Sequence, residues 1–188
     1  MCKLSAFVSW WPKALENRLL YKEYMKTLYI VRHAKSSWES PDLDDLNRPV
    51  IENGIRKTKK VIDFLLNENV GVDLIISSHA LRAIETARLL ADGLGYQKSD
   101  ILINTNIYNS DEEHMLNEVY ALPNDKDNIM LIGHNPTFTQ FANFFLAKKI
   151  DFLPTSAVIS ISFDTERWEK IESCIKKVNF VAFPKRIK

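Results

Sequence analysis

Cysteine is almost absent: Cys2 and Cys174 are the only two in 188 residues, and they form neither a C-x-x-C pair nor a zinc-ligand spacing. So few thiols exclude the disulfide scaffold that small secreted domains rely on, and a reducing, cytoplasmic setting is expected. The chain has only 5 glycines and 7 prolines, which excludes collagen-like and low-complexity compositions. No apolar run approaches the roughly 20 residues a spanning helix needs, so no membrane partner is expected. The opening Met1–Pro12 stretch is too brief for a signal h-region and is followed by no convincing small-residue cleavage site. An excess of one charge is also missing. Lys and Arg total 25 against 24 Asp and Glu, a formal net charge of +1, so no broad field draws nucleic acid or anionic lipid. Any bound anion must be held by a few locally placed cations.

What is present suits one globular domain. The chain is 46% hydrophobic and 26% charged, enough apolar material for a core at a length where single cores are common. Residues 1–26 read as an N-terminal extension preceding a domain over 27–188. Leu15, Leu19, Leu20 and Tyr24 recur at helical spacing there, which leaves an amphipathic docking helix as the functional reading of the extension. From Thr27 the pattern alternates. The expected elements are strand 27–31, helix 52–67, strand 72–77, helix 81–92, short strand 101–104, helix 111–121, strand 128–132, helix 136–147, and strands 157–163 and 177–183 around a turn near Asp164. In helix 52–67, Ile55, Val61, Ile62, Leu65 and Leu66 share a face, while Arg56, Lys57, Lys59 and Lys60 read as a solvated one. Ser110 and Glu113 have capping-box spacing. Alternating strands and helices predict an α/β protein: a three-layer α/β/α sandwich around a mostly parallel sheet, with an antiparallel edge element from the last two strands.

In open α/β sheets ligands bind beyond the carboxyl ends of the strands. The first strand ends in Arg32-His33-Ala34-Lys35. The second runs into Ser77-Ser78-His79-Ala80-Leu81-Arg82, and the strand at 128–132 into Gly133-His134-Asn135-Pro136, with Asn135 a natural N-cap and Pro136 a natural first helical residue. Three strand ends thus aim two arginines and two histidines at one crevice. Arginine's planar fork suits phosphate oxygens, and helix N-termini add oriented N–H groups. A neutral imidazole can accept a phosphoryl group and release it to water, splitting one displacement into two. Positioning and electrostatics then carry catalysis, with no metal or other cofactor expected. No pair among the four histidines has the i, i+4 helical spacing of a zinc site.

These three segments, together with the Ser-Ser-x-x-x-Arg-Ala-x-x-Thr-Ala run over 77–87, resemble the histidine phosphatase superfamily, which has the phosphoglycerate mutase-like fold. The resemblance covers about residues 27 to 183. Arg48-Pro49 after an aspartate-rich loop, and Thr155-Ser156-Ala157 before a late strand, are similar to the SixA-type phosphohistidine phosphatases. The resemblance implies His33 as the nucleophile that becomes phosphorylated, with Arg32, Arg82 and His134 around the phosphoryl oxygens and Arg48 reaching the phosphate from its loop. It also implies Asp45 as proton donor, with Asp44, Asp111, Glu112 and Glu113 as alternatives. An acid donating near neutral pH needs its pKa raised by burial or like charge, and the neighbouring Asp44 is the source of like charge. Ala34 departs from the glycine common after the Arg-His pair, and so calls for an ordinary backbone φ. His79 either lines the crevice or bonds to backbone. Lys35 and Ser36 either shape the pocket or form an ordinary loop. His114 reads as a surface histidine.

The expected function is a phosphatase working through a phosphohistidine intermediate on His33, with phosphohistidine in a protein as substrate. Two alternatives stand beside it: a phosphatase of small phosphomonoesters, and a non-catalytic domain that binds a phosphorylated partner. The sequence sets no oligomeric state.

Overall fold

A computed structural model describes residues 25–37 and 44–187 of the chain. The expectations for the N-terminal segment up to Tyr24, and for part of the aspartate-rich loop at 38–43, lie outside the described residues. The first strand, β1, runs Met25–Arg32, starting two residues before the expected strand. Lys26 is 1% exposed. Its ammonium reaches the Asn124 carbonyl at 2.6 Å and the Asp127 carboxylate at 2.7 Å, which compensates a charge that burial alone would not tolerate.

The remaining elements are α1 (Glu52–Asn67), β2 (Leu74–Ser77), α2 (Leu81–Leu94), β3 (Leu102–Ile103), α3 (Glu112–Tyr120), β4 (Asn128–Gly133), α4 (Thr137–Phe145), β5 (Val158–Asp164) and β6 (Lys176–Ala182). They form one six-stranded sheet in the order β3-β2-β4-β1-β5-β6. Strands β3, β2, β4 and β1 are parallel, β5 runs antiparallel to β1, and β6 antiparallel to β5. This is the expected sandwich, and period-2 alternation explains its layers. Leu28 and Ile30 of β1, with Ile129 and Leu131 of β4, meet Met115, Val119, Phe138 and Phe141 of α3 and α4 on one face. Tyr29 and Val31, with Met130 and Ile132, meet Val61, Leu65, Ala83 and Leu90 of α1 and α2 on the other. Each fully buried side chain of this kind contributes about 1.5–3 kcal/mol relative to exposure.

Several local expectations change. The buried stripe of α1 is Gly54, Thr58, Val61, Ile62 and Leu65, while Leu66 is exposed. Gly54 is there because a Cβ would lie 2.4 Å from the Lys35 carbonyl oxygen, so the helix can approach the His33 loop only without a side chain. Asp111 caps α3, not Ser110, accepting the His114 N–H at 2.8 Å. Pro136, not Asn135, holds the cap position of α4. The Asn135 amide is turned instead to the Leu153 carbonyl at 3.0 Å. Between β5 and β6 the connection is longer than the expected turn and carries a 3₁₀ turn at Trp168–Lys170. It buries Trp168 completely and directs its indole N–H to the Lys126 carbonyl at 3.1 Å.

Candidate active site

Register brings the chemistry together. Arg32 lies opposite Gly133 in the β1–β4 ladder, and Ser77 opposite Ile132 in the β2–β4 ladder. The residues after these strands therefore emerge side by side at one edge. Gly133 is required at that edge, since a Cβ there would fall 2.1 Å from the Phe138 ring. The first turn of α4 thus seats directly beneath His134. Ala34 takes no left-handed conformation. Its N–H donates to the Thr86 hydroxyl at 2.8 Å, and that hydroxyl donates to the Arg82 carbonyl at 2.6 Å, tying the His33 loop to the start of α2.

The resulting cavity of about 300 Å³ is lined by His33, Arg32, Arg48, Arg82, His134 and Asp45, among others. All six residues to which the resemblance gives a role line it. Lys35 and Ser36 also line it, and Ser36 accepts from Arg48 Nη2 at 3.0 Å. Asp44, Asp111, Glu112 and Glu113 do not line it, nor does His79.

His33 is 8% exposed. Its Nδ1 sits 2.7 Å from the Ala34 carbonyl oxygen. A carbonyl only accepts, so Nδ1 carries the proton and Nε2 keeps the lone pair. Burial pushes the His33 pKa down to about 3; the Ala34 bond raises it, while Arg82, Arg32 and Arg48 lower it further. The ring is therefore neutral at ordinary pH. His134 packs on it with ring centroids 4.9 Å apart, and is itself lowered to about 2 by burial first and then by His33 and Arg82. Its Nε2 is 2.8 Å from the Ser78 hydroxyl. Ser78 also accepts the Ala80 N–H at 3.4 Å, which ties His134 to the start of α2. His134 Nδ1, Arg32 Nε and Asn135 Oδ1 are buried with no protein partner among the described residues. Arg32 is lowered to about 10 by burial and by Arg82, and stays charged.

Asp45 lies among cations. Partial burial raises its pKa, but hydrogen bonds from Tyr108, Arg48 and Arg82 outweigh that and hold it well below the usual carboxylate range. Its Oδ1 meets Arg48 Nη1 at 2.8 Å, and its Oδ2 meets Arg82 Nη2 at 2.8 Å and the Tyr108 hydroxyl at 2.5 Å. In this arrangement Asp45 is an ionised acceptor that orders two guanidinium groups.

Tyr108 and Asn109 are cavity residues that the sequence reading passed over. The Tyr108 ring stands edge-on to His134 at 5.1 Å and to His79 at 5.0 Å. Its signal was the fourth parallel strand. β3 ends at the same edge as β2, so the loop after Ile103 had to enter the crevice as the other three did.

Residues 28–107 match the model of the histidine phosphatase superfamily (branch 1). An uncharacterized chloroplastic protein of Arabidopsis thaliana is 28% identical over 154 residues, 77% of this chain and 70% of its own. The solved structure of the protein histidine phosphatase SixA complexed with tungstate is similar with a TM-score of 0.73 at 21% identity, over 86% of this chain and 99% of that one. Phosphoglycerate mutase from Bacillus anthracis str. Sterne is similar with a TM-score of 0.62 at 14% identity, over 88% and 96%. The phosphoglycerate mutase-like fold is therefore borne out. The match over residues 28–107 agrees with the histidine phosphatase resemblance.

Proposed function

We propose that the chain hydrolyses phosphohistidine in a protein substrate through a phosphohistidine intermediate on His33. The observation that carries this reading is the tautomer of His33: Nδ1 is committed to the Ala34 carbonyl, so the unprotonated Nε2 is the nucleophile in a cavity lined by Arg32, Arg48 and Arg82. Nε2 attacks phosphorus and the bond to the leaving nitrogen breaks. A phosphoimidazole protonated on its second ring nitrogen departs as neutral imidazole, so no acid in the site has to supply a proton at that step. Water then attacks the phosphorus, the P–Nε2 bond breaks, its electron pair returns to His33, and phosphate leaves with the water's oxygen. Arg32, Arg82 and His134 donate to the equatorial oxygens, where charge is greatest. Arg48 completes the cationic wall, and Asp45 and Tyr108 hold Arg48 and Arg82 in place until substrate enters.

The phosphohistidine preference rests on Asp45 being ionised, because an alkyl phosphate would need a proton for its alkoxide. SixA, solved with the phosphate-like tungstate, and the superfamily match support the same chemistry. A sequence with only two cysteines favours a reducing compartment, the cytoplasm, while the Arabidopsis relative is chloroplastic. The test is single-turnover labelling with a ³²P-phosphohistidine protein. Wild type forms an acid-labile phosphoenzyme and releases phosphate. His33→Ala forming the same labelled species would refute the nucleophile assignment, and faster turnover of small phosphomonoesters than of phosphohistidine protein would refute the substrate.

A further inference from the structure

A second cavity, of about 360 Å³, opens beside the catalytic one and shares Thr155 with it. Its floor is Phe152, Pro154, Phe183 and Pro184, and its rim carries Lys57, Lys185 and Arg186. No carboxylate among the described residues lines it. Among the described residues, none of these three cations pairs with an acid within 4.0 Å. Phe152 is 55% exposed, a large apolar side chain left in water at the mouth of a site. The Arg32 guanidinium lies 4.5 Å from the centroid of its ring, and the Arg186 guanidinium 4.9 Å from that of Phe183. The groove is thus joined to the phosphoryl site through Arg32, one of the cations that would hold the transferring group.

We propose that this groove docks an acidic segment, bearing apolar side chains, that flanks the phosphohistidine of the protein substrate. The inference rests on the phosphohistidine reading and supplies what that reading lacks, a surface that distinguishes a protein from a small ester. Charge selects the occupant. Cations around two aromatic rings attract carboxylates to the rim while an apolar side chain settles on the floor. Residues 1–24, with Lys3, Lys13, Arg18 and Lys22 against Glu16 and Glu23, are a poor electrostatic match. Position selects the reach, because a chain whose imidazole enters the catalytic cavity passes Thr155 directly into the groove.

The test uses the full chain and a Lys185→Glu/Arg186→Glu variant, neither residue belonging to the catalytic cavity. The substrates are phosphoimidazole, a phosphohistidine peptide flanked by Asp, Glu and Leu, and a matched peptide with Lys in place of the acids. Wild type should favour the acidic peptide about tenfold in kcat/KM, the preference residing in KM and shrinking with added salt. The variant should lose that preference and turn over phosphoimidazole as wild type does. A variant that keeps the preference, or loses phosphoimidazole turnover equally, overturns the proposal. Fluorescence anisotropy of the unphosphorylated acidic peptide decides the groove independently of turnover. Wild type binds it and the variant binds about tenfold more weakly, whereas equal binding, or binding only to vesicles containing one-fifth phosphatidylserine, overturns it. If phosphoimidazole is hydrolysed and neither peptide is, the protein-substrate reading fails while the anisotropy result still judges the groove.

Discussion

Holding two neutral histidines in one cavity has a cost that acid exposes. His33 and His134 have pKa values pushed down to about 3 and about 2, chiefly by burial, while in the unfolded chain each titrates near 6.5. As pH falls below 6.5 the unfolded state takes up protons that the folded state refuses, so folding stability drops until the folded pKa is reached. Between pH 7.5 and 5.5 each histidine should remove about 1.4 kcal/mol, about 3 kcal/mol for the pair. Urea unfolding at pH 7.5, 6.5 and 5.5, on wild type and on His33→Asn, His134→Asn and the double variant, measures this directly. Each single substitution should abolish about half of the histidine-dependent loss and the double substitution all of it, while carboxylates contribute equally to every protein and cancel. A double variant losing as much stability over that range as wild type would refute the claim that these rings are neutral because they are buried. The same neutrality sets the activity profile. Since kcat/KM reports the free enzyme, its acid limb from His33 should lie near pH 3, far below the 6.5 of an exposed imidazole.

Arg82→Ala should lower kcat/KM by about 10² to 10³, the loss of one donor to the developing charge; a fall under threefold in steady-state assays would remove Arg82 from the phosphoryl site. Tyr108→Phe deletes the donor to Asp45 Oδ2, so the Asp45 carboxyl pKa should rise toward the ordinary range in a ¹³C-detected titration, and an unchanged value would contradict the clamp. Gly133→Ala drives a methyl into the Phe138 ring and should cost about 1–3 kcal/mol in urea unfolding. Adding Phe138→Leu should recover part of that, and a stable single variant would show that the close approach is not needed.

Most of the fold was legible because alternation and helical periodicity are local. The β1 run Leu28–Val31, the sixteen residues of α1 and the order of elements follow from hydrophobic pattern. The errors fell where a distant group competed for a local one. Asn135 left its cap position for the Leu153 carbonyl, and Leu66 surrendered the α1 stripe to Gly54 and Thr58, which pack close to the His33 loop and to Ser156. Tyr108 follows the expected strand 101–104 only after the 3₁₀ turn Thr105–Ile107, so its arrival at the crevice is set by that turn and not by the strand end alone.

The sequence by itself determined which residues reach the crevice, because parallel strands must deliver their carboxyl ends to one edge, and Arg32, His33, Arg82 and His134 follow those ends in chain order. Only the tertiary structure decided what state they hold there. The proton of His33 is placed by a carbonyl 2.7 Å away, and the charge of Asp45 by two guanidinium groups, one three residues along the chain and one 37 residues away. Ionisation depends on burial and on partners brought close by folding, and neither is written in the local pattern of residues.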